Sequence, residues 1–441
     1  MKIRGLLVAV VVLAALAALV VWSNKREKAA ENKPAADQPP KILSVPDDQF
    51  KSVALKKKDS TTLLAKSDAG KWEIVEPTKL AADQDSVSSL ISTLSSLSSD
   101  RLIEEKASDL SPYGLSTPSL EVDITRKDGK TDKLLLGDDT PTGGGVFAKL
   151  EGDPRVFTVA SYVKSSLDKT PKDLRDKRLL TFDSDKLTRV ELQAKGQTIE
   201  FGKNNQNEWQ ILKPRPLRAD GTQVDDLIRK LKDAKMDTSV SDEDARKAPA
   251  RFAAATRVAV VSVSDSSGAQ QLEVRKDKDK NYWARSSVVE GVYKLTSDVG
   301  DGLDKDLDSF RNKKLFDFGW SDPNQVQVGQ AVYKKTGEKW MLGSRQMDAP
   351  SVQTLIDRLR DLSATKFLDK AAGSPVLEAT VTSNDGKRVE KVIISRQGAT
   401  YFARRENEPS LYELDSKAVE DLQKAASDVK EYQPPKDQKK K

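Results

Sequence analysis

Three short motifs carry residue types that could catalyse acyl transfer. Ser161-Tyr162-Val163-Lys164 matches S-x-x-K, the pattern in which a serine is the nucleophile. Lys335-Thr336-Gly337 matches K-T-G, and Ser184-Asp185-Lys186 approaches S-D-N, with lysine in place of asparagine. In this chain order the three motifs are typical of penicillin-binding proteins and serine β-lactamases, which form a covalent acyl-serine.

Internal repetition argues against an acyl-enzyme. The sequence contains three related copies of one repeat. In the other two copies, Ser161 corresponds to Ser297 and Ser416, and Lys164 corresponds to Gly300 and Val419. Each serine follows a strand pattern and precedes a helix pattern, so it is explained as a helix N-cap that satisfies free N–H groups. Because lysine is absent from the corresponding positions, the repeats carry no general base next to the serine.

Two further motifs are interpreted as turns. Lys335-Thr336-Gly337 precedes a tryptophan as Asp68-Ala69-Gly70 does, which predicts a hairpin turn. Asp138-Asp139 followed by Thr142-Gly143-Gly144-Gly145 could hold Mg²⁺ or phosphate, but no G-K-S/T follows the glycines. We therefore predict a flexible loop between two strands at this position.

The composition excludes several other kinds of chemistry. The 441 residues include no cysteine and no histidine. Disulfides, thiol nucleophiles, iron–sulfur clusters, Cys/His zinc sites and Ser-His-Asp triads are therefore excluded. The 74 basic and 68 acidic residues are interleaved, so the net charge of +6 does not indicate nucleic-acid binding. We predict no catalytic, cofactor-binding or metal-binding residues.

An apolar run near the N-terminus predicts a membrane anchor. Residues 6–22 carry no charge, follow Met1-Lys2-Ile3-Arg4, and approach the roughly 20 residues of a spanning helix. We predict a transmembrane anchor over residues 1–23 in the inner (cytoplasmic) membrane, with the bulk of the chain in the periplasm. The alternative is a signal peptide cleaved near Ala15-Leu16-Ala17. Residues 24–46, rich in alanine, proline and charged residues, are predicted to be a flexible linker.

The remaining chain repeats at a period of about 130 residues. LDKTPKDLRDKRLLTF at 167–182 matches LDKDLDSFRNKKLFDF at 303–318 without a gap, and we call this the connector motif. Three tryptophans repeat as well, and we interpret them as core anchors; they are Trp72, Trp209 and Trp340. Apolar residues spaced by three and four follow each tryptophan and predict an amphipathic helix. The helix faces comprise Val87, Leu90, Ile91, Leu94 and Leu97; Val224, Leu227, Ile228 and Leu231; and Val352, Leu355, Ile356 and Leu359, with Asp83, Asp220 and Ser351 as candidate caps.

Alternating segments around Asp-Gly turns follow each helix and predict β-hairpins. The pairs are LEVDI with KLLLG, RVAVVSV with QLEVR, and LEATVTS with EKVIIS. We predict an α+β fold in which an N-terminal transmembrane helix precedes three tandem related modules, each with antiparallel β-hairpins and one amphipathic helix. The modules span 47–184, 185–321 and 322–433, with a disordered basic tail at 434–441. The connector motif would join one module to the next.

This combination resembles a bacterial family, domain of unknown function 4340. The segments that carry the resemblance are GKWEIVEP, DLSPYGLSTPSLEVDITRKDGKTDKLLLGD and GGVFAKLEGDPRVFTVAS, over about residues 70–183. Proteins of that family are often encoded beside ABC-type export or gliding-motility transporter components, so the resemblance implies an accessory role at the cell envelope. It implies no catalytic residues.

We therefore hypothesise a non-catalytic, membrane-anchored envelope protein that binds protein partners, in particular subunits of an ABC-type transporter complex. Membrane attachment would use residues 6–22, and no nucleic acid is expected as a partner. The alternative hypothesis is a carboxylate-dependent enzyme, or a binding module, acting on an envelope polysaccharide. A binding module of that kind would expose the three repeated tryptophans on one face.

Overall fold

The computed structural model describes residues 40–321, 323–370 and 373–434. The chain divides into two compact units between Lys177 and Arg178. The first unit contains one antiparallel sheet, and the second contains two. The protein is mostly β, with 42% strand and 23% helix in three antiparallel sheets, so the predicted α+β class is wrong.

The first unit is built on a nine-stranded sheet with the order β4-β3-β2-β1-β6-β7-β8-β9-β5. Its strands are β1 (Phe50–Lys57), β2 (Ser60–Lys66), β3 (Trp72–Glu76), β4 (Leu80–Ala81), β5 (Arg101–Glu104), β6 (Leu120–Arg126), β7 (Thr131–Asp139), β8 (Gly145–Leu150) and β9 (Val156–Ala160). Its helices are α1 (Gln84–Ser95), α2 (Ser161–Leu167) and α3 (Pro171–Leu174). Alternate residues of β6 are buried, because successive side chains of a strand point to opposite faces.

The second unit repeats this arrangement twice. The second sheet has the order β13-β12-β11-β10-β14-β15-β16-β17, and the third has the order β21-β20-β19-β18-β23-β24-β25-β26-β22. The strands are β10 (Arg189–Ala194), β11 (Gln197–Lys203), β12 (Trp209–Lys213), β13 (Leu217–Arg218), β14 (Thr256–Asp265), β15 (Gly268–Lys276), β16 (Tyr282–Ser286), β17 (Tyr293–Leu295), β18 (Gln325–Val328), β19 (Ala331–Thr336), β20 (Lys339–Leu342), β21 (Arg345–Gln346), β22 (Ala364–Leu368), β23 (Ser374–Ser383), β24 (Arg388–Gln397), β25 (Thr400–Arg405) and β26 (Leu411–Leu414). The helices are α4 (Gly221–Lys232), α5 (Asp242–Ala254), α6 (Ser297–Leu303), α7 (Ala349–Asp361) and α8 (Ser416–Ser427).

One amphipathic helix of each copy packs on its sheet as the apolar spacing predicts. The predicted rows of α1, α4 and α7 are buried, although Leu97 lies beyond the end of α1. Each fully buried aliphatic side chain contributes roughly 1.5–3 kcal/mol. Asp83 and Asp220 accept hydrogen bonds from N–H groups of the first turn, which confirms them as caps. The cap of α7 is Asp348, not Ser351, because the carboxylate of Asp348 accepts from the Ser351 N–H.

The connector motif has two halves with separate structural roles. Its first half returns to the sheet that precedes it, where the N–H of each helix-capping aspartate donates to a connector carbonyl. These bonds run from Asp83 to Leu174 (2.8 Å) and from Asp220 to Phe310 (2.8 Å). In the third copy, where no connector follows, Asp348 donates to Lys430 at 2.9 Å. The N–H of the capping aspartate therefore has a backbone carbonyl partner in all three copies.

The second half of the connector starts the next core. The N–H of Leu179 donates to Ala234, and the N–H of Leu315 donates to Leu362. In the first unit Ile42 occupies the same place and donates to Leu97 at 2.8 Å. Ile42, Leu43 and Val45, predicted as part of the linker, thus belong to the first core, in which Ile42 is 6% exposed.

The second sheet differs from the others at one edge. It lacks the edge strand formed by β5 and β22, and helix α5 packs against β16 and β17 instead. Trp283 on β16 is buried there with Ala248 and Phe252 of α5. This small cluster is separate from the main core of the same sheet.

The prediction of a single-pass inner-membrane protein needs correction. Among residues 40–321, 323–370 and 373–434, none of the helices is both long enough and apolar enough to cross a membrane. The segments predicted as the anchor (1–23), as most of the linker (24–39) and as most of the tail (435–441) lie outside the described residues.

Candidate functional site

The acyl-enzyme motifs occupy structural positions. Ser161 is the first residue of α2, and its side chain makes no capping hydrogen bond, so its predicted role as an N-cap is wrong. Lys164 lies 3.4 Å from both the Gly137 carbonyl oxygen and the Asp139 carboxylate. These contacts hold the lysine against β7.

The K-T-G and S-D-N-like motifs lie in the other compact unit. Lys335-Thr336-Gly337 ends β19 and enters a tight turn in which Gly337 has φ +57°, and Thr336 pairs with Lys339. The predicted hairpin turn is therefore correct. Ser184-Asp185-Lys186 forms a single 3-10 turn capped by the Asp183 carboxylate.

The glycine-rich loop after Asp138-Asp139 connects β7 to β8. Gly143 and Gly144 adopt positive φ values of +74° and +80°, which the turn between the two strands requires. Within the part of the chain that the structure describes, no cluster of three or more acidic side chains is arranged to hold a metal ion.

The repeated tryptophans are core residues. Trp72, Trp209 and Trp340 are 7%, 8% and 3% exposed. A lysine ammonium lies over each ring, at 5.0, 5.0 and 6.0 Å from the ring centroid; these lysines are Lys66, Lys203 and Lys335. Because the same contact recurs in each copy, the tryptophans belong to the scaffold, and they offer no exposed platform for a sugar ring.

A polar cleft of about 930 Å³ opens between the second and third sheets. Arg218, at the end of β13, contacts the Asp317 carboxylate, and its Nε lies 2.8 Å from Oε1 of Glu408. Arg405, at the end of β25, reaches the same Glu408 oxygen at 2.8 Å and Glu390 at 3.0 Å. We call these five residues the joint network.

Every carboxylate of the joint network already has a partner. Both oxygens of Glu390 accept from the backbone N–H of Asp317, at 2.9 and 3.0 Å. Burial raises the pKa of Glu390, although Arg405 acts in the opposite direction. The five charges therefore link the second sheet to the third.

Differences between the copies are the sequence signal for the joint network. Arg218 occupies the position of Ala81 in the first copy and Gln346 in the third. A residue that differs between copies is not required by the shared scaffold, so such differences point to features specific to one copy.

The same comparison identifies an exposed tryptophan. Trp320 lies in the segment before β18 and is 85% exposed, whereas the corresponding residues are Ser184 and Asp47. The guanidinium of Arg360 lies 5.6 Å from the Trp320 ring centroid and 5.2 Å from that of Phe318. We call Trp320 and Arg360 the Trp320 surface.

The Arg360 side chain is buried and is held by a hydrogen bond and an ion pair. It is 8% exposed, its Nε donates to the Gly319 carbonyl at 2.8 Å, and it pairs with Asp357. The corresponding residues are Lys232 and Ser95, so this support is also specific to the third copy. The Arg360 guanidinium is therefore held beside the exposed Trp320 indole.

Comparison with known proteins gives one match. A family model for Domain of unknown function (DUF4340) matches residues 72–212 and again residues 209–387. Each match begins at a repeated tryptophan and includes one connector motif. No curated protein and no solved structure matches the chain.

Proposed function

The chain belongs to the family described as Domain of unknown function (DUF4340), and from this premise we propose that it is a non-catalytic scaffold that binds a protein partner through the Trp320 surface. The family resemblance suggests that this partner is a subunit of an ABC-type transporter complex. The rest of the proposal depends on the geometry of the second unit.

The exposure of Trp320 carries the proposal. Tryptophan and arginine are enriched among the residues that dominate binding at protein interfaces. Isolated exposed apolar residues are ordinary, but a tryptophan that is 85% exposed and stacked near a buried arginine has already lost part of its conformational freedom. Less entropy is therefore lost when a partner covers it.

The test uses a photo-crosslinking amino acid at position 320 of the full chain. The matched control carries the same amino acid at position 162, because Tyr162 is an aromatic residue that is 69% exposed on α2. We expect position 320 to form an adduct with a transporter subunit, and position 162 not to form it. Identical adducts at both positions, or none at 320, would count against the proposal.

Affinity for the captured subunit provides the second readout. Trp320→Ala should weaken binding by about 2 kcal/mol or more, which is roughly thirtyfold, because interface tryptophans commonly contribute this much. Tyr162→Ala should leave the affinity unchanged.

One observation favours the alternative of a carboxylate-dependent enzyme. The cleft is lined by acidic residues of the second and third copies, such as Asp225 of α4 and Glu390 of β24. Against it, Asp225 accepts from the Trp209 indole N–H at 2.9 Å, and Glu390 is bound as described above. Incubation of the full chain with envelope polysaccharide tests the idea: release of reducing ends that Glu390→Gln abolishes would replace our proposal.

A further inference from the structure

A second cavity lies in the first unit, between α1 and the pair α2–α3. Its volume is about 330 Å³. Its polar lining consists of four hydroxyl groups, two lysines and one carboxylate, which belong to Ser86, Ser89, Thr93, Ser166, Lys169, Lys177 and Asp173. The two apolar residues in its wall are Leu90 and Leu174.

The corresponding place in the second copy is filled by its own side chains. Lys305, the equivalent of Lys169, reaches Gln223 at 3.0 Å and Asp226 at 3.7 Å. Lys230 pairs with Asp298 at 2.8 Å, and its Cδ lies only 2.2 Å from where a Cβ on Gly302 would be. A lysine chain and a carboxylate thus occupy the volume that is open in the first copy.

In the first copy the two charged filling residues, Asp226 and Lys230, are replaced by smaller, uncharged ones, whereas the facing glycine, Gly302, is replaced by a serine. Ser89 stands in place of Asp226, Thr93 in place of Lys230, and Ser166 in place of Gly302. Lys169 and Lys177 are half-buried, and their ammonium groups make no ion pair within the described residues. A half-buried ammonium without a counter-charge favours an anionic ligand, because the anion compensates for lost hydration.

The one carboxylate in the lining does not neutralise both lysines. Asp173 accepts hydrogen bonds from the N–H and the hydroxyl of Thr170, which close the first turn of α3. Desolvation opposes ionisation of Asp173, but the Thr170 bonds and the two nearby lysines lower its pKa. An excess of positive charge therefore remains in the cavity.

The hydroxyl groups indicate which ligand atoms would fit beside the anion. Ser89 and Thr93 donate to helix carbonyls at 2.9 and 3.0 Å, so their oxygens remain available only as acceptors. Ser86 and Ser166 make no side-chain hydrogen bond within the described residues and can donate. The cavity thus offers ammonium and hydroxyl donors at one part of its wall, and acceptors that need a ligand O–H at another.

We propose that this cavity binds a phosphorylated polyol, with the phosphoryl group between Lys169 and Lys177 and the polyol hydroxyls donating to Ser89 and Thr93. The volume exceeds that of a phosphate group alone, which leaves room for a short carbon chain against Leu90 and Leu174. The proposal concerns a small-molecule site in the first unit and is independent of partner binding at the Trp320 surface.

Calorimetric titration of the full chain tests the site, with glycerol 3-phosphate as the probe and with inorganic phosphate and glycerol as comparisons. Glycerol 3-phosphate should bind, and added salt should weaken it. Lys169→Gln should weaken binding about tenfold or more, since a hydrogen bond to a charged group is lost. Lys58→Gln, which removes an exposed lysine of the β1–β2 turn, should have no effect.

A second variant fills the cavity with larger side chains. Ser89→Asp, Thr93→Lys and Ser166→Gly combined introduce the residues found in the second copy, and the glycine leaves room for the lysine chain, so the variant should fold and should abolish binding. Retained binding in this variant, or absence of binding in the wild type, would overturn the site. Equal affinity for inorganic phosphate would overturn the assignment of a polyol.

Discussion

Removal of Arg218 from the joint network should loosen the attachment of the second sheet to the third. The Arg218 side chain is 15% exposed. Besides its two carboxylate partners, it donates to the Lys314 carbonyl at 2.6 Å and to the Tyr412 hydroxyl at 3.2 Å. Arg218→Ala removes all of these bonds and leaves two partly buried carboxylates, Asp317 and Glu408, with fewer partners.

The free-energy cost of removing Arg218 depends on which partners Asp317 and Glu408 keep. Breaking a buried ion pair by removing one partner costs about 3–5 kcal/mol, because an uncompensated charge is left behind. Here Arg405 still lies 2.8 Å from Glu408 and 3.9 Å from Asp317. We therefore expect a cost near the lower end, about 3 kcal/mol, or on the order of a hundredfold in the opening equilibrium.

Native-state hydrogen exchange on the full chain measures this cost locally. Amide protons of segments 209–221 and 388–412 should exchange on the order of a hundredfold faster in Arg218→Ala. Arg229→Ala is the matched control, because that arginine is 64% exposed and its pair with Asp226 should contribute under about 1 kcal/mol. If the two variants accelerated exchange equally, our account of the joint network would be refuted.

Three further changes test other parts of the second unit. The Asp265 carboxylate accepts three hydrogen bonds, which lower its pKa, and the bond from the Asp183 N–H has the largest effect. The stabilisation of the fold by these bonds is present above the unfolded pKa of about 3.9 and is lost as the pH falls through the folded value. Asp265→Asn should thus lower the calorimetric melting temperature at pH 7, and a difference from wild type that persisted unchanged at pH 3 would contradict this. Gly300→Ala would bring a Cβ within 2.2 Å of the Tyr282 ring, so unfolding in urea should show a loss of about 1–3 kcal/mol, whereas the same change at Gly221, which faces open space, should not. Trp283→Ala should cost about 3–5 kcal/mol and speed amide exchange in α5, and protection of α5 equal to that of wild type would argue against the cluster.

Local periodicity revealed much of the repeated scaffold from the sequence. Leu90 and Leu227 follow a helical spacing, and Asp83 and Asp220 precede their helices as caps, because these features depend on neighbouring residues. The predicted α+β class is wrong because it underestimates the strand content, which is 42%. Helix α5 was missed for a physical reason: it contains Pro249 and buries only Ala248 and Phe252, so no apolar row marks it.

The periodicity of apolar residues does not predict the joint network or the Trp320 surface. Arg218 and Trp320 follow no pattern, and their importance depends on segments far apart in sequence that meet in the fold, such as Arg218 with Tyr412. The charged residues and prolines around Ile42 and Val45 predict a linker, yet both residues lie in the first core. Comparison of the copies, position by position, is the signal that would have exposed such residues.

The strand order also has a kinetic consequence. Strands β1 and β2 form a hairpin, but β1 must also pair with β6, with Val53 opposite Ile124, after α1 and β5 have been made. The same delayed closure joins β10 to β14 and β18 to β23. Chain entropy is lost before the pairing of distant strands provides stabilising contacts. We therefore expect these three closures to limit the folding rate. During synthesis on the ribosome, the early hairpins would then wait with one edge open until the later strand emerges.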